Sequence, residues 1–322
     1  MPFVLAAIKM PNLRFLVEIP LPFTNPLNGR QVLQVPAYGT MMMLGFLAAM
    51  LLVRRLTRRD NVNLETVHNV WFISLISGVL WARTFFMVQS GVPASHFFKI
   101  WEGGLVWYGG LFGALGMALV YIVTAKAPLA KIVDVSAPAT MLGLAFGRVG
   151  CLLNGCCYGR VIVASPDGPW YGLVYPLDTP LGRQMFAKYG SLVTLHPAQV
   201  YSSLLALTIC GLLLVLRRTR KVYGEQFLLM LVLYAPVRFL LEVIRTETPK
   251  EYWGFFTPGQ IVGMLIFAPA LAGWIALRLK GPRMEEYDLK LGAVPEDKPA
   301  TKPHTRPSGD GGGRKKKGKN RG

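Results

Sequence analysis

Seven stretches of roughly 16 to 22 mostly apolar residues run through the chain, each about long enough to cross the hydrocarbon core of a bilayer. Lipid offers backbone N–H and C=O groups no partners, so such stretches must satisfy themselves as helices. The expected fold is all-α, a polytopic membrane protein with about seven transmembrane helices. Charged residues make up only 16% of the chain. A soluble domain has about 25%.

The spans are read at Tyr38–Val53, Val70–Val88, Gly104–Thr124, Ile132–Leu153, Gln199–Leu216, Gln226–Ile244 and Pro258–Leu277. Basic clusters follow the odd-numbered ones. They are Arg54, Arg55, Arg58 and Arg59, then Lys126 and Lys131, then Arg217, Arg218, Arg220 and Lys221, and last Arg278, Lys280 and Arg283. The opposite loops are poor in lysine and arginine. Cytoplasmic loops carry the positive excess, so the N-terminus is expected outside and the C-terminus in the cytoplasm.

Three parts follow from this. Residues 1–35 form an outer N-terminal segment with Asn-Pro-Leu-Asn-Gly turn chemistry and a short amphipathic piece. Its opening, Met1 to Lys9, has a very short apolar run and no basic start, so no cleavable signal peptide is expected. Residues 36–280 form the transmembrane domain, with a long outer loop at 155–195. Residues 281–322 form a basic tail with too little apolar content to order itself. The first reading is a solvated tail with no specific partner, and contact of its lysines and arginines with anionic headgroups of the cytoplasmic leaflet is the other.

A net charge of +18 also suits nucleic acid. The charge sits in loops and tail, as membrane topology requires, so no nucleic-acid partner is expected. The four cysteines are Cys151, Cys156, Cys157 and Cys210. Two adjacent cysteines give neither zinc-ligand spacing nor a disulfide framework. No metal and no cofactor are expected. The sequence lacks a Walker loop, HExxH and GxSxG, which argues against nucleotide hydrolysis and the commoner hydrolases.

The chemistry concentrates where the fourth span ends, at Phe146-Gly-Arg148-Val-Gly-Cys-Leu-Leu-Asn154-Gly-Cys-Cys-Tyr-Gly159. A charge near the bilayer core costs several kcal/mol unless paired or hydrated, so Arg148 marks a candidate functional site. The sixth span places Tyr234, Arg238, Glu242 and Arg245 at intervals of four, four and three, on one helical face. Such a stripe must face protein or water. An Arg238–Glu242 pair that only neutralises itself explains two of these four residues. Arg83 either snorkels to headgroups from the second span or joins the same site. Arginine forks in excess over carboxylates suit a phosphate. The glycines around Tyr108 suit close helix packing, while the Tyr108 hydroxyl needs a partner if buried. His196-Pro-Ala-Gln199-Val-Tyr201 opens the fifth span. There Gln199 is placed to orient a loop or a headgroup, and a lone His196 is more often structural than catalytic.

Taken together, these motifs resemble bacterial prolipoprotein diacylglyceryl transferases. The resemblance rests on Gly147-Arg148-Val-Gly150-Cys-Leu-Leu-Asn154-Gly155-Cys-Cys-Tyr-Gly159 and on Tyr38-Gly39. It rests also on Gly103-Gly104-Leu-Val-Trp-Tyr108-Gly109-Gly110, on the His196 run, and on Tyr234 with Arg238 and Arg245. It covers residues 36–280 in order. It implies an enzyme of the bacterial inner membrane with its active site toward the periplasmic face, which makes the outer segment and loop periplasmic. The implied reaction moves the diacylglyceryl group of phosphatidylglycerol to the thiol of the lipobox cysteine in a prolipoprotein signal peptide, releasing glycerol phosphate. By position, Arg148 and Arg238 are then the phosphate ligands, and Asn154, Gly159, Tyr38 and Tyr234 shape the headgroup site together with Arg83, Arg245 and Glu242. Some relatives have histidine where Tyr108 stands, cast as the base for the thiol. A phenol is a weak base at neutral pH, so His196, Glu242 and water stand beside Tyr108 as acceptors of that proton. An anion or headgroup transporter would also use intramembrane arginines, but transporters commonly show internal repeats, and none is visible in this sequence. A purely structural membrane protein has no use for a one-sided arginine stripe.

Overall fold

In a computed structural model, residues 7–20, 32–99, 104–245 and 256–290 are described. The chain divides into a body, 1–284, and a second unit, 285–322, of which only residues up to 290 are described.

Seven helices of the body are long and apolar enough to cross a membrane. They are α1 (Ala37–Arg59), α2 (Leu64–Ser90), α3 (Trp107–Thr124), α4 (Leu129–Asn154), α6 (Ala198–Leu216), α7 (Glu225–Ile244) and α8 (Pro258–Lys280). Each matches an expected span, and most run past its ends. The first continues through its arginines to Arg59 because a charged, water-facing turn can extend a helix that hydropathy alone would end. Local chemistry fixes the starts. Asn63 caps α2 by accepting from the Glu65 and Thr66 amides, and Thr257 with Gln260 forms a reciprocal capping box on α8. Many large apolar side chains on the bundle surface are exposed, among them Leu51, Phe72, Val88, Leu212 and Leu265. Lipid, rather than water, is the solvent that suits such a surface.

Helix α4 is the central element, packed against α1, α6 and α7, while α7 in turn packs on α8 and α2 on α3. The glycines of α3 serve that last contact, for a Cβ on Gly109 would lie 2.7 Å from the Phe85 Cβ. At the end of the bundle that carries the basic clusters, buried ions lock α1, α4, α6 and α7 together. Asp134, fully buried on α4, accepts from the Gln226 and Phe227 amides at 3.0 and 3.2 Å and so caps α7 from outside that helix. Arg220 bridges Asp134 at 3.4 Å to Asp60 at 2.6 Å, and Arg217 also pairs with Asp60.

The opposite end carries a small head. Strands β1 (Ile8–Lys9), β4 (Val161–Val163), β5 (Leu173–Val174) and β6 (Thr194–Leu195) form a sheet of order β1-β5-β6-β4. Its first pair is parallel and the others antiparallel, with Leu173 opposite both Ile8 and Leu195. Helix α5 (Pro180–Tyr189) packs Leu181 and Met185 onto this sheet beside Met10 and Tyr175. The 155–195 segment expected as a loop is therefore an ordered substructure. Its strands are too short to announce themselves by alternation, and one partner comes from the N-terminus. The amphipathic piece expected in residues 1–35 is an antiparallel ribbon of β2 (Phe15–Pro20) and β3 (Val32–Pro36), with Glu18 opposite Gln34. In the second unit the tail opens on a short helix, α9 (Met284–Lys290), and the rest of the expected disordered segment lies outside the described residues.

Candidate active site

Helix α4 ends at Asn154, where Gly155 takes the left-handed conformation with φ 71°. Arg148 lies less than two turns before that end. Helix α7 runs beside α4 and brings Arg238 and Arg245 to the same depth. One small cavity is lined by Arg148, Arg238, Arg245, Cys157, Ala198, Ser202 and Leu241. The one-face spacing in the sixth span and the intramembrane Arg148 are thus two walls of a single site.

Glu242 sets the balance of charge in this site. Its carboxylate, with a fully buried side chain, pairs with Arg238 one turn away and lies 4.0 Å from Arg245. Among the described residues, three guanidiniums stand against this one carboxylate at the cavity. The Nε of Arg148 is buried and has no hydrogen-bond partner among the described residues. Such a donor costs free energy until an acceptor reaches it. Tyr234 presents its hydroxyl to Arg148 from α7. Helix α8 closes over the pair at Gly259, where a Cβ would lie 2.9 Å from Arg238 Nη2 and 3.2 Å from the Glu242 carboxyl.

Tyr38 starts α1 against α4, and a Cβ on Gly150 would come within 3.2 Å of its ring. Arg148, Cys151, Cys156 and Cys157 are its charged or thiol neighbours. Gly159 forms a β-bridge with Arg245, and its own amide donates to the His196 carbonyl at 3.0 Å. His196 stands at the end of β6 with its ring stacked on Tyr171 at 6.1 Å, and its Nδ1 is buried without a hydrogen-bond partner among the described residues. Gln199 donates from Nε2 to the Cys156 carbonyl at 2.9 Å, so it orients the loop after α4.

Other expected residues lie apart from this cavity. Asn154 is exposed and lines a different small cavity, with Arg14, Tyr175 and Leu181. Tyr108, 42% exposed, packs edge-on against Trp107 at 5.1 Å and is not among the cavity residues. Arg83 is 2% exposed, and its guanidinium donates to the carbonyls of His96, Phe97, Lys99 and Gly104 at 2.6 to 3.3 Å. It holds the α2–α3 connection.

The cysteines group in a way that spacing along the chain did not suggest. The sulfur atoms of Cys151, Cys156 and Cys157 all lie within 4.8 Å of one another. The Cys157 thiol is pulled far below its ordinary range, first by hydrogen bonds from the Cys151 and Cys156 thiols and then by the Arg245 and Arg148 charges.

A polytopic bundle with an arginine-lined cavity beneath an ordered head defines the class: a multi-pass membrane protein with three arginines gathered near one end of its spans. The prolipoprotein diacylglyceryl transferase family model matches residues 29–276, and the chain belongs to that family. It is 32% identical over 258 residues to the phosphatidylglycerol–prolipoprotein diacylglyceryl transferase of Geobacter sulfurreducens, covering 76% of this chain and 92% of the relative. It is 28% identical over 254 residues to phosphatidylglycerol–prolipoprotein diacylglyceryl transferase 2 of Clostridium perfringens, covering 77% of this chain and 93% of that protein. With the transferase of Verminephrobacter eiseniae it shares 35% identity over 187 residues, 58% of this chain and 62% of the relative.

Proposed function

We propose that this chain transfers the diacylglyceryl group of phosphatidylglycerol to the lipobox cysteine thiol of prolipoprotein signal peptides, the first step of lipoprotein maturation. The observation that carries this reading, together with family membership, is the convergence of Arg148, Arg238 and Arg245 on one cavity, where a buried Arg148 donor has no partner among the described residues.

The substrate sulfur attacks the glyceryl carbon bonded to the phosphate oxygen. A C–S bond forms, the C–O bond breaks, and its electron pair leaves on the phosphate of glycerol phosphate. Charge therefore builds on phosphate oxygens, where preorganised guanidiniums act most strongly. Arg148 and Arg238 bind those oxygens. Glu242 fixes the Arg238 fork, Arg245 adds charge, and Tyr234 and Tyr38 border the headgroup. Gly159 keeps Arg245 and His196 close. The nucleophile belongs to the peptide, so the enzyme has to orient two substrates rather than supply a nucleophile. The thiol proton passes to His196, whose buried Nδ1, without a partner among the described residues, supports it over Tyr108. No cofactor takes part in this scheme, and no nucleic acid.

The protein sits in the bacterial inner membrane with its N-terminus periplasmic and its C-terminus cytoplasmic. The alternation of basic clusters supports this orientation. The arginine cavity and the head then face the periplasm.

The test is transfer of label from phosphatidylglycerol to a lipobox peptide in the presence of the purified protein. The same peptide with Cys→Ser is the control. Label on the cysteine peptide alone is the expected result. Label on neither peptide, from folded protein, refutes the assignment.

A further inference from the structure

The loop after α4 draws together three thiols that the sequence separates. Cys151 lies in the last turn of α4, the chain reverses at Gly155, and Cys157 takes a left-handed backbone with φ 59°. A residue with a Cβ pays roughly 1–2 kcal/mol for that conformation, so the surrounding contacts must hold it. Gln199 does so through the Cys156 carbonyl, and the Cys156 amide donates to the Cys151 carbonyl at 3.1 Å. The three sulfur atoms stand within 4.8 Å of one another, and all three cysteines are free thiols.

Three sulfurs around one zinc-like ion at about 2.3 Å would lie roughly 3.8 Å apart in tetrahedral geometry. Contraction by about 1 Å or less per pair brings this cluster to coordination distance. Thiolates select soft ions such as zinc and cuprous copper. Magnesium and calcium seek oxygen. The surroundings suit the complex better than the bare ion. Three thiolates on a divalent ion carry one net negative charge, and the neighbours of Cys157 are Arg148 and Arg245. Those guanidiniums repel a free cation but offset the charge of its tris-thiolate complex, lowering the cost of burying it.

We propose that Cys151, Cys156 and Cys157 form a binding site for a soft, thiophilic metal ion of the zinc class, with a fourth ligand from solvent. The site does not depend on the transferase reading, and its test reads metal rather than transfer.

The full chain, purified in detergent micelles, reduced and kept anaerobic, is titrated with Cd²⁺ as a spectroscopic stand-in. It is then dialysed against Zn²⁺ and its metal counted. One ion per chain is expected, with sulfur-to-metal charge-transfer absorption. Affinity should fall at least about a hundredfold in Cys151→Ser and Cys157→Ser, more than loss of an outer-shell partner costs. Cys210→Ser should bind as the wild type does, because Cys210 is buried on α6 outside the cluster. X-ray absorption of the zinc-loaded wild type keeps the proposal testable if a serine variant misfolds. Three sulfur neighbours at about 2.3 Å are expected. A folded wild type without the charge-transfer band, binding that survives both serine changes, or a shell of oxygen and nitrogen alone overturns the proposal.

Discussion

Gly159 and Arg245 face each other across an isolated antiparallel β-bridge, which ties the loop after α4 to the end of α7. The Arg160 amide strengthens the tie by donating to the Ile244 carbonyl at 2.8 Å. A side chain has no room there, because a Cβ on Gly159 would lie 2.6 Å from the His196 Cβ and 2.9 Å from the His196 carbonyl. Gly159→Ala is expected to cost about 1–3 kcal/mol in overpacking and to lower transfer further by displacing Arg245 and His196. Thermal unfolding in detergent and transfer per folded molecule measure the two effects separately.

Glu242 is the one carboxylate described against the cavity arginines, and its side chain is fully buried. Truncating one member of a buried ion pair typically costs about 3–5 kcal/mol. Glu242→Ala should lower the unfolding temperature and reduce transfer at least tenfold, on the order of an oriented charge lost. Glu242→Gln keeps the shape but not the charge and should fall between. Wild-type stability in Glu242→Ala would remove it from its clamping role.

Arg83 makes its four described side-chain hydrogen bonds to carbonyls of the α2–α3 connection. Arg83→Ala leaves these part-buried acceptors without that donor, a loss of about 1–3 kcal/mol. Arg83→Lys should not restore it, because an ammonium lacks the fork that reaches several carbonyls. Transfer per folded molecule should stay near the wild-type value. A raised KM for phosphatidylglycerol at unchanged stability would instead place Arg83 at the headgroup.

At the far end of the same two helices, Asp134 caps α7 from α4. Asp134→Asn removes the charge that pairs with Arg220 and weakens acceptance from the Gln226 and Phe227 amides. The expected loss is about 3–5 kcal/mol, visible as a lower unfolding midpoint. Transfer should fall only as the folded fraction falls, since the ion network and the arginine cavity occupy opposite ends of the bundle.

Whatever depends on one helix at a time was legible in the sequence. The seven spans follow from hydropathy, and the shared face of Tyr234, Arg238, Glu242 and Arg245 follows from helical period. Arg148 is conspicuous because charge is costly in lipid. Relations between distant segments were not legible. Nothing local pairs Ile8 with Leu173 or brings Asp134 to the start of α7. The cysteine cluster depends on how α4 ends, a turn whose geometry spacing does not encode. Arg83 is a different case, since the sequence puts a guanidinium at headgroup depth without showing the four carbonyls of the α2–α3 connection to which it donates.

The most direct measurement compares transfer of labelled diacylglyceryl by the wild type and by Arg148→Ala. The same phosphatidylglycerol and lipobox peptide serve both, and circular dichroism confirms equal helical content. Arg148 supplies a buried donor that has no partner among the described residues, so its loss should reduce transfer by at least about a hundredfold, the scale for removing one preorganised donor from developing charge. Full transfer by a folded Arg148→Ala protein would contradict the claim that this cavity holds the phosphate.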